Sequence, residues 1–400
     1  MSIEQNNSLT EATPRIDDGA GSIRVLALLD DPVASGKVKP VLVVARNARE
    51  NREGLRPLDI SMLTFSRAES DPEFVAELRR EGLSIDVVRE RRRFDFGVFA
   101  QLRAIIARRR PHILWTHSAK THFLVRFGGL HRGRAWVASH HGYTATSLTW
   151  RLYEQLDRWS LLGADSVITA CEAFASDLNV RLGIKKERLS VHHSPFAESA
   201  SSSAVVGRRS IRTELRLPAG ARVVLSVGRL SREKGHADLI RAMVEVRRTC
   251  GFPAVLVIVG DGPERARLER LRARLGLEDA VHLVGYRDDV SPYYEAADVF
   301  ALPSYSEGSP NVLLEAMGAG VPIVARAVGG VCEMIRDGEQ GWLAPKDDAT
   351  SIAHGIVALL SDANLRSSFT ASARRSLSAY APSSYYAGIR SVFETVLGAQ

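Results

Sequence analysis

Two carboxylates and two cations carry most of the chemistry that the residue types of this chain suggest. Within the segment LPSYSEGSPNVLLEAMGAGVPIVARAVGG, Glu307 and Glu315 bracket a Ser309-Pro310 step. A hydroxyl followed by proline is a helix start, with Ser309 as the capping residue and Pro310 at the first helical position. The helix is predicted to run through NVLLEAM to Gly318. Its amino end leaves N–H groups unpaired, and with the helix dipole these make Gly308, Ser309, Pro310, Asn311 and Val312 a seat for a diphosphate. Glu307 stands just before this helix and Glu315 about a turn and a half inside it, at ~3.6 residues per turn. A carboxylate beside a diphosphate is repelled unless it accepts hydrogen bonds from hydroxyls, which sugar and ribose rings present. Either glutamate alone reads as an ordinary loop or helix-surface residue. Together, around a helix start and followed by Gly329 and Gly330, they read as a ligand site, the two glycines letting a second backbone approach the ligand.

The anion needs positive charge, and SVGRLSREKGHADLI supplies it. Arg229 directly follows a strand end, and Lys234 stands five residues later, before Gly235 and an amphipathic helix. A guanidinium fork and a point charge would both face the ligand, although in isolation the two read as a solvated loop pair. No Asp-x-Asp pair or histidine cluster near these residues suggests a divalent ion, so neither a metal nor a cofactor is expected.

The elements that must position these residues alternate. IRVLALL (23–29), LDISMLTF (58–65), SIDVVRE (84–90), HILWTH (112–117), AWVAS (135–139) and SVIT (166–169) read as buried strands, separated by helix-period segments such as 72–81 and 149–162. The polar stretch ESASSSAVVGRR (198–209) reads as a linker. Beyond it come RVVLSV (222–227), AVLVIV (254–259), VHLV (281–284), DVFAL (298–302) and VPIV (321–324). Leu239, Ile240, Met243 and Val244, then Leu268, Leu271 and Leu275, recur at helical spacing and are predicted to pack on the second sheet. The expected fold is α/β, two doubly wound Rossmann-like domains facing across a crevice, with the ligand at the carboxyl ends of both sheets. The expected division is a disordered leader over 1–22, a first domain over 23–200, a second over 201–383 and a closing helix over 384–400.

Length and composition bound the function. Four hundred residues, 45% hydrophobic and 25% charged, fit a soluble two-domain protein. Cys171, Cys250 and Cys332 are odd in number and lack metal-ligand spacing, which suggests neither disulfides nor zinc and fits a reducing cytosol. The leader has no apolar core and no stretch is long enough to span a bilayer, so a cytoplasmic location is expected. The net charge is +7, with basic runs at 89–93 and 108–110. These runs are either solvated faces or attract an anionic membrane surface or a phosphate-bearing substrate. They are not interleaved with exposed aromatics in a nucleic-acid-binding motif, and no nucleic acid is expected.

At the residues quoted above, from about Ile23 onwards and most strongly over 226–348, the chain resembles the retaining glycosyltransferases of family 4, which have the two-domain GT-B architecture. Their Glu-x7-Glu motif stands here as Glu307 and Glu315, and their basic pair as Arg229 and Lys234. The resemblance implies that Glu307 holds hydroxyls of the transferred sugar, Glu315 the ribose, and Arg229 and Lys234 the diphosphate of a nucleotide-sugar donor. VGYRDDV (284–290) occupies the place where the family receives the base, with Tyr286 and Arg287 nearest it. SHHGY (139–143) is similar to the segment whose His-Gly contacts the donor sugar and points to His141, although a histidine pair after a strand is more often structural. DDPVASGKVKP (30–40) sits where these enzymes have a glycine-rich loop beneath the phosphates, with Gly36 at the close approach. The chain departs from the family at His193-Ser194-Pro195-Phe196, which replaces an Asn-Gly turn at the hinge.

The resemblance implies a UDP- or GDP-sugar donor and a saccharide or lipid-linked saccharide acceptor, in bacterial envelope or exopolysaccharide synthesis. Retention without a placed nucleophile implies that the acceptor hydroxyl approaches on the side of the departing diphosphate. A nucleotide-sugar epimerase of the same fold and a catalytically silent nucleotide-sugar-binding scaffold remain as rivals. The basic runs predict a peripheral place at the inner face of the cell membrane, with Arg91, Arg92, Arg93, Arg108, Arg109 and Arg110 against anionic lipid.

Overall fold

The computed structural model describes residues 21–30, 38–50, 55–92, 95–142, 148–196 and 211–398. The first sheet has seven parallel strands in the spatial order β3 (Ser84–Arg89), β2 (Leu58–Ser66), β1 (Ile23–Leu28), β4 (Ile113–Thr116), β5 (Ala135–His140), β6 (Ser166–Thr169) and β7 (Leu189–Val191). The second has six, in the order β10 (Val281–Gly285), β9 (Ala254–Val259), β8 (Arg222–Val227), β11 (Val299–Leu302), β12 (Ile323–Arg326) and β13 (Trp342–Ala344). Both orders run outward from the first strand of their sheet and reverse beside it, the doubly wound pattern. The strands β7 and β13 escaped the sequence reading because three residues hold too little periodicity to register. The strand read over 321–324 lies instead at Ile323–Arg326. The linker read over 198–209 lies outside the described residues.

Strand residues that alternate in sequence feed opposite faces, and both faces are apolar because helices cover both. Val25 and Ala27 enter one core with Ile60, Met62, Ile113 and Trp115, while Leu26 and Leu28 enter the other with Leu63, Leu114 and Trp136. The second sheet divides likewise, with Val224, Leu256 and Ile258 on one side and Val223, Leu225 and Val257 on the other. The helix His236–Thr249 buries Leu239, Ile240, Met243 and Val246. Val244, read as part of that face, is 44% exposed, since one further residue turns it about 100° away from Met243. Leu275, at the end of its helix, is likewise 37% exposed, while Leu268 and Leu271 are buried.

The two arginine runs do not form one basic face. Arg91 and Arg92 follow the carboxyl end of β3, whereas Arg108 and Arg109 close the Gly97–Arg109 helix at the opposite end of the sheet. Thirteen helical residues separate them by about 20 Å. Arg108 and Arg109 also both donate to the Asp86 carboxylate, at 2.7 and 2.9 Å. Arg93 lies outside the described residues. No described helix is long and apolar enough to cross a membrane.

The last helix, Pro382–Gly398, returns from the second sheet to the first. Its Tyr386, Ile389, Val392, Phe393 and Val396 complete the core that also holds Trp115. The Phe393 ring meets the Trp115 ring edge-on at 5.3 Å. Phe393→Ala is expected to destabilise the first domain by about 3–5 kcal/mol, the usual range for emptying a buried aromatic site. Denaturant unfolding followed by tryptophan fluorescence checks this, and an unchanged midpoint would make the helix a loose tail.

Candidate functional site

Residues that follow strand ends in both sheets touch one another, so the two carboxyl edges share one crevice. From the second sheet, β8 leads into the loop carrying Arg229 and Lys234, and β11 leads into the loop carrying Glu307. Glu307 is only 8% exposed, and the Lys234 ammonium donates to its Oε1 at 2.7 Å. Burying a carboxylate this far is costly unless a cation stands against it. Arg229 remains exposed.

Several bonds hold these two loops in register. The Tyr305 N–H donates to the Glu233 carbonyl at 2.8 Å. Gly235 adopts φ +66°, and a Cβ there would stand 2.2 Å from the Pro303 carbonyl oxygen, so only glycine closes the loop against its neighbour. Asp238 then accepts from the Tyr305 hydroxyl at 2.6 Å and from the buried Arg326 at 2.8 Å, while the Arg326 guanidinium lies over the Tyr305 ring. His236, next to Lys234, adds no charge near neutral pH. Burial, and then the Lys234 ammonium, lower its pKa to about 4.

The helix that opens beside Glu307 runs Asn311–Ala319. Ser309 does not cap it. Pro310 occupies the capping position without a side-chain bond, and the Ser309 hydroxyl instead accepts from the Ser194 N–H of the first domain at 2.8 Å. The Leu313 N–H turns back to the Pro310 carbonyl at 3.0 Å, and the N–H groups of Asn311 and Val312 are left to water or a ligand. Within the helix, Glu315 accepts from the Tyr294 hydroxyl through Oε2 at 3.0 Å. Burial, and then Glu315, push the Tyr294 phenol far above its ordinary pKa, which keeps it a donor. The Glu315 Oε1 stands 4.0 Å from the Lys39 ammonium across the crevice. No sequence pattern links Tyr294 or Lys39 to Glu315, and both were missed.

Gly329 and Gly330 are held to glycine by the protein's own backbone. A Cβ at Gly329 would meet the Glu307 carbonyl oxygen at 2.1 Å, and one at Gly330 would meet the Gly308 oxygen at 1.6 Å. They are glycine because the Glu307 loop lies on them, and the Gly330 N–H donates to the Glu307 carbonyl at 3.1 Å. From the first domain, Phe174 fills the space between Gly142 and Gly308, where a Cβ on either would come within 2.7 Å of its ring. His141, beside Gly142, is half-buried at the end of β5 and stacks on His117 at 6.2 Å. Behind it, His122 and His140 share the buried Asp157 carboxylate, at 2.6 and 3.8 Å. Tyr286 is 69% exposed, and Arg287 donates to the Tyr293 hydroxyl at 3.0 Å. Gly36 lies outside the described residues. Among the described residues no group of three or more histidine, cysteine or acidic side chains is placed to hold a metal ion.

Comparison with known proteins accords with this geometry. Residues 207–376 match the model for "Glycosyl transferases group 1", and residues 44–196 that for "Glycosyltransferase Family 4". The lipopolysaccharide core biosynthesis glycosyltransferase LpsE of Rhizobium meliloti is 37% identical over 156 residues, covering 39% of this chain and 44% of LpsE. The 2-deoxystreptamine glucosyltransferase of Streptomyces kanamyceticus is 29% identical over 214 residues, covering 53% of this chain and 55% of that enzyme. The chain thus spans about half the length of the curated relatives it matches. The crystal structure of Anabaena Alr3699/HepE in complex with UDP superposes with a TM-score of 0.75 over 93% of this chain and 100% of that one, at 20% identity. That last likeness speaks for the fold alone. With both halves matched and the two sheets meeting at one crevice, the chain belongs to the family 4 glycosyltransferases of GT-B architecture.

Proposed function

We propose that this protein is a retaining glycosyltransferase that takes a sugar from a UDP- or GDP-sugar and passes it to a saccharide or lipid-linked saccharide acceptor in envelope polysaccharide synthesis. The observation that carries the reading is the Lys234–Glu307 pair, 2.7 Å apart, beside the uncapped amino end of the Asn311–Ala319 helix. An anion seat and a hydroxyl acceptor thus stand side by side, which is what the phosphate-linked carbon of a nucleotide-sugar requires. The relative named for lipopolysaccharide core biosynthesis supports the envelope setting, and the UDP complex of similar fold supports a nucleotide donor.

On this reading the diphosphate meets Arg229, Lys234 and the N–H groups of the helix. Lys234 has three donors and can serve a phosphate oxygen while keeping Glu307. Glu307 accepts from sugar hydroxyls. Glu315, one oxygen fixed by Tyr294, offers the other to the ribose. Tyr286 and Arg287 stand by the base, and His141 by the sugar. The bond from the anomeric carbon to the phosphate oxygen breaks while the bond to the acceptor oxygen forms on the same face. The acceptor proton passes to the departing phosphate oxygen, so no enzyme nucleophile is used. Positioning and leaving-group stabilisation supply the catalysis. A peripheral contact with anionic lipid would use one arginine run alone, since the two lie at opposite ends of the sheet.

A thermal-shift panel of nucleotide-sugars tests the reading, because a ligand of the folded state raises the melting temperature by mass action. Failure of every UDP- and GDP-sugar to do so would overturn it. Donor conversion without acceptor would indicate an epimerase, and binding without any turnover a scaffold. Glu315→Ala is expected to weaken UDP or GDP binding roughly 10- to 100-fold, the worth of a charged hydrogen bond, as read by calorimetry. Glu307→Gln is expected to lower kcat about 100-fold with a much smaller change in donor affinity, as expected when the reacting group is misplaced. Because Arg229, Lys234 and the helix supply the positive charge, turnover should persist in excess chelator, and loss restored by magnesium would contradict this.

A further inference from the structure

We propose that Glu333 is a positioning residue that clasps the two domains together and so sets the width of the crevice at the diphosphate seat. The starting point is a helix whose amino end is capped from the wrong domain. Glu172–Leu182 begins after Cys171, whose side chain makes no capping bond. A thiol is a weak acceptor, and burial holds this one protonated. The helix nevertheless has its first N–H groups paired. The Glu172 N–H lies 3.0 and 3.1 Å from the two Glu333 oxygens, and the Ala173 N–H lies 3.4 Å from Oε1. Glu333 belongs to the second domain, on the short helix Val331–Met334. Its negative charge suits the helix dipole.

The same carboxylate accepts from His193 Nε2 at 3.2 Å. His193 is the first residue of the 193–196 segment that departs from the family's hinge pattern, and the next residue, Ser194, binds Ser309. The clasp is also backed directly onto the donor loops. Three residues before Glu333, Gly330 lies against the Gly308 carbonyl on one side, and a Cβ there would stand 2.9 Å from the Cys171 Cβ on the other. Phe174 stands in the first turn of the clasped helix, with its ring against Gly308. Where Glu333 holds the helix therefore decides where Phe174 stands over the loop that should take the diphosphate. A cap supplied by the helix itself would act whatever the domains did, whereas this one forms only when they close.

The inference rests on the proposed donor site, and its test separates the two. Hydrogen exchange at the Glu172 and Ala173 amides, small-angle scattering of the full chain, and calorimetry with UDP and GDP are compared for wild type, Glu333→Ala, and the double variant Cys171→Ser with Glu333→Ala. The serine gives the helix a cap of its own, as serine does at this position in other helices. Glu333→Ala is expected to speed exchange at both amides, enlarge the radius of gyration and weaken nucleotide binding roughly 10-fold, the worth of hydrogen bonds to a charged group. The double variant should regain slow exchange and stay expanded and weak in binding. Recovery of compactness and affinity along with exchange would make Glu333 a simple helix cap and overturn the proposal, as would unchanged exchange in Glu333→Ala. If wild type bound neither nucleotide, the proposed function would fail, while exchange and scattering would still decide the clasp.

Discussion

The crevice depends on one constraint, that the Glu307 carboxylate, where little water reaches it, is kept in contact with the Lys234 ammonium. A buried carboxylate is tolerated only with a cation in contact, and removing the partner of such a pair costs about 3–5 kcal/mol. Lys234 supplies that cation from a different strand-end loop, 73 residues away in sequence. The two loops must therefore be held in register with each other. The contact of Gly235 with Pro303, the Tyr305–Glu233 backbone bond and the Asp238–Arg326–Tyr305 network all do this. A rigid second layer behind a charged first one is how a site avoids reorganising when the substrate arrives.

The second constraint is that the walls of the crevice come from both domains. Phe174, Lys39 and Ser194 reach across to Gly308, Glu315 and Ser309, so the Asn311–Ala319 helix and the loop before it do not form their surroundings from their own sheet alone. Glycine at 142, 308 and 330 permits this, since at each place a side chain would strike a ring or a carbonyl oxygen. The two domains are also joined behind the crevice, because Phe196 packs on Gly318 of the Asn311–Ala319 helix and its N–H donates to the Tyr380 carbonyl at 2.8 Å. The Pro382–Gly398 helix carries the chain from that junction into the first core, so the end of the sequence stabilises its beginning.

Charge that looks alike in the sequence is spent in different ways. Arg108 and Arg109 neutralise Asp86 at the base of the first sheet, and Arg89 pairs with Asp71 beside β3. Lys120 meets Glu90 at 2.7 Å while lying over the Phe65 ring. The basic excess of the first domain is therefore dispersed over its surface, and its reach into solution falls off within roughly 10 Å at ordinary salt.

The sequence by itself determined the two doubly wound sheets and most strand positions, and it singled out Lys234 and Glu307, which the fold brings into contact. Short apolar runs, a helix start at Ser309-Pro310 and cations after a strand end are local signals, and the residues that make them are near one another in the chain. It did not determine that Ser309 serves the other domain rather than its own helix, or that Gly329 and Gly330 make room for protein backbone. Nor did it show Tyr294 beneath Glu315, or Glu333 capping a helix 161 residues upstream. Those contacts join segments that meet only after both sheets have formed and closed on each other, and hydrogen bonds between distant loops leave no period or spacing in a single sequence. The arginine runs show the same limit from the other side. Neighbours in composition, they are put about 20 Å apart by one helix, a separation that only the tertiary structure decided.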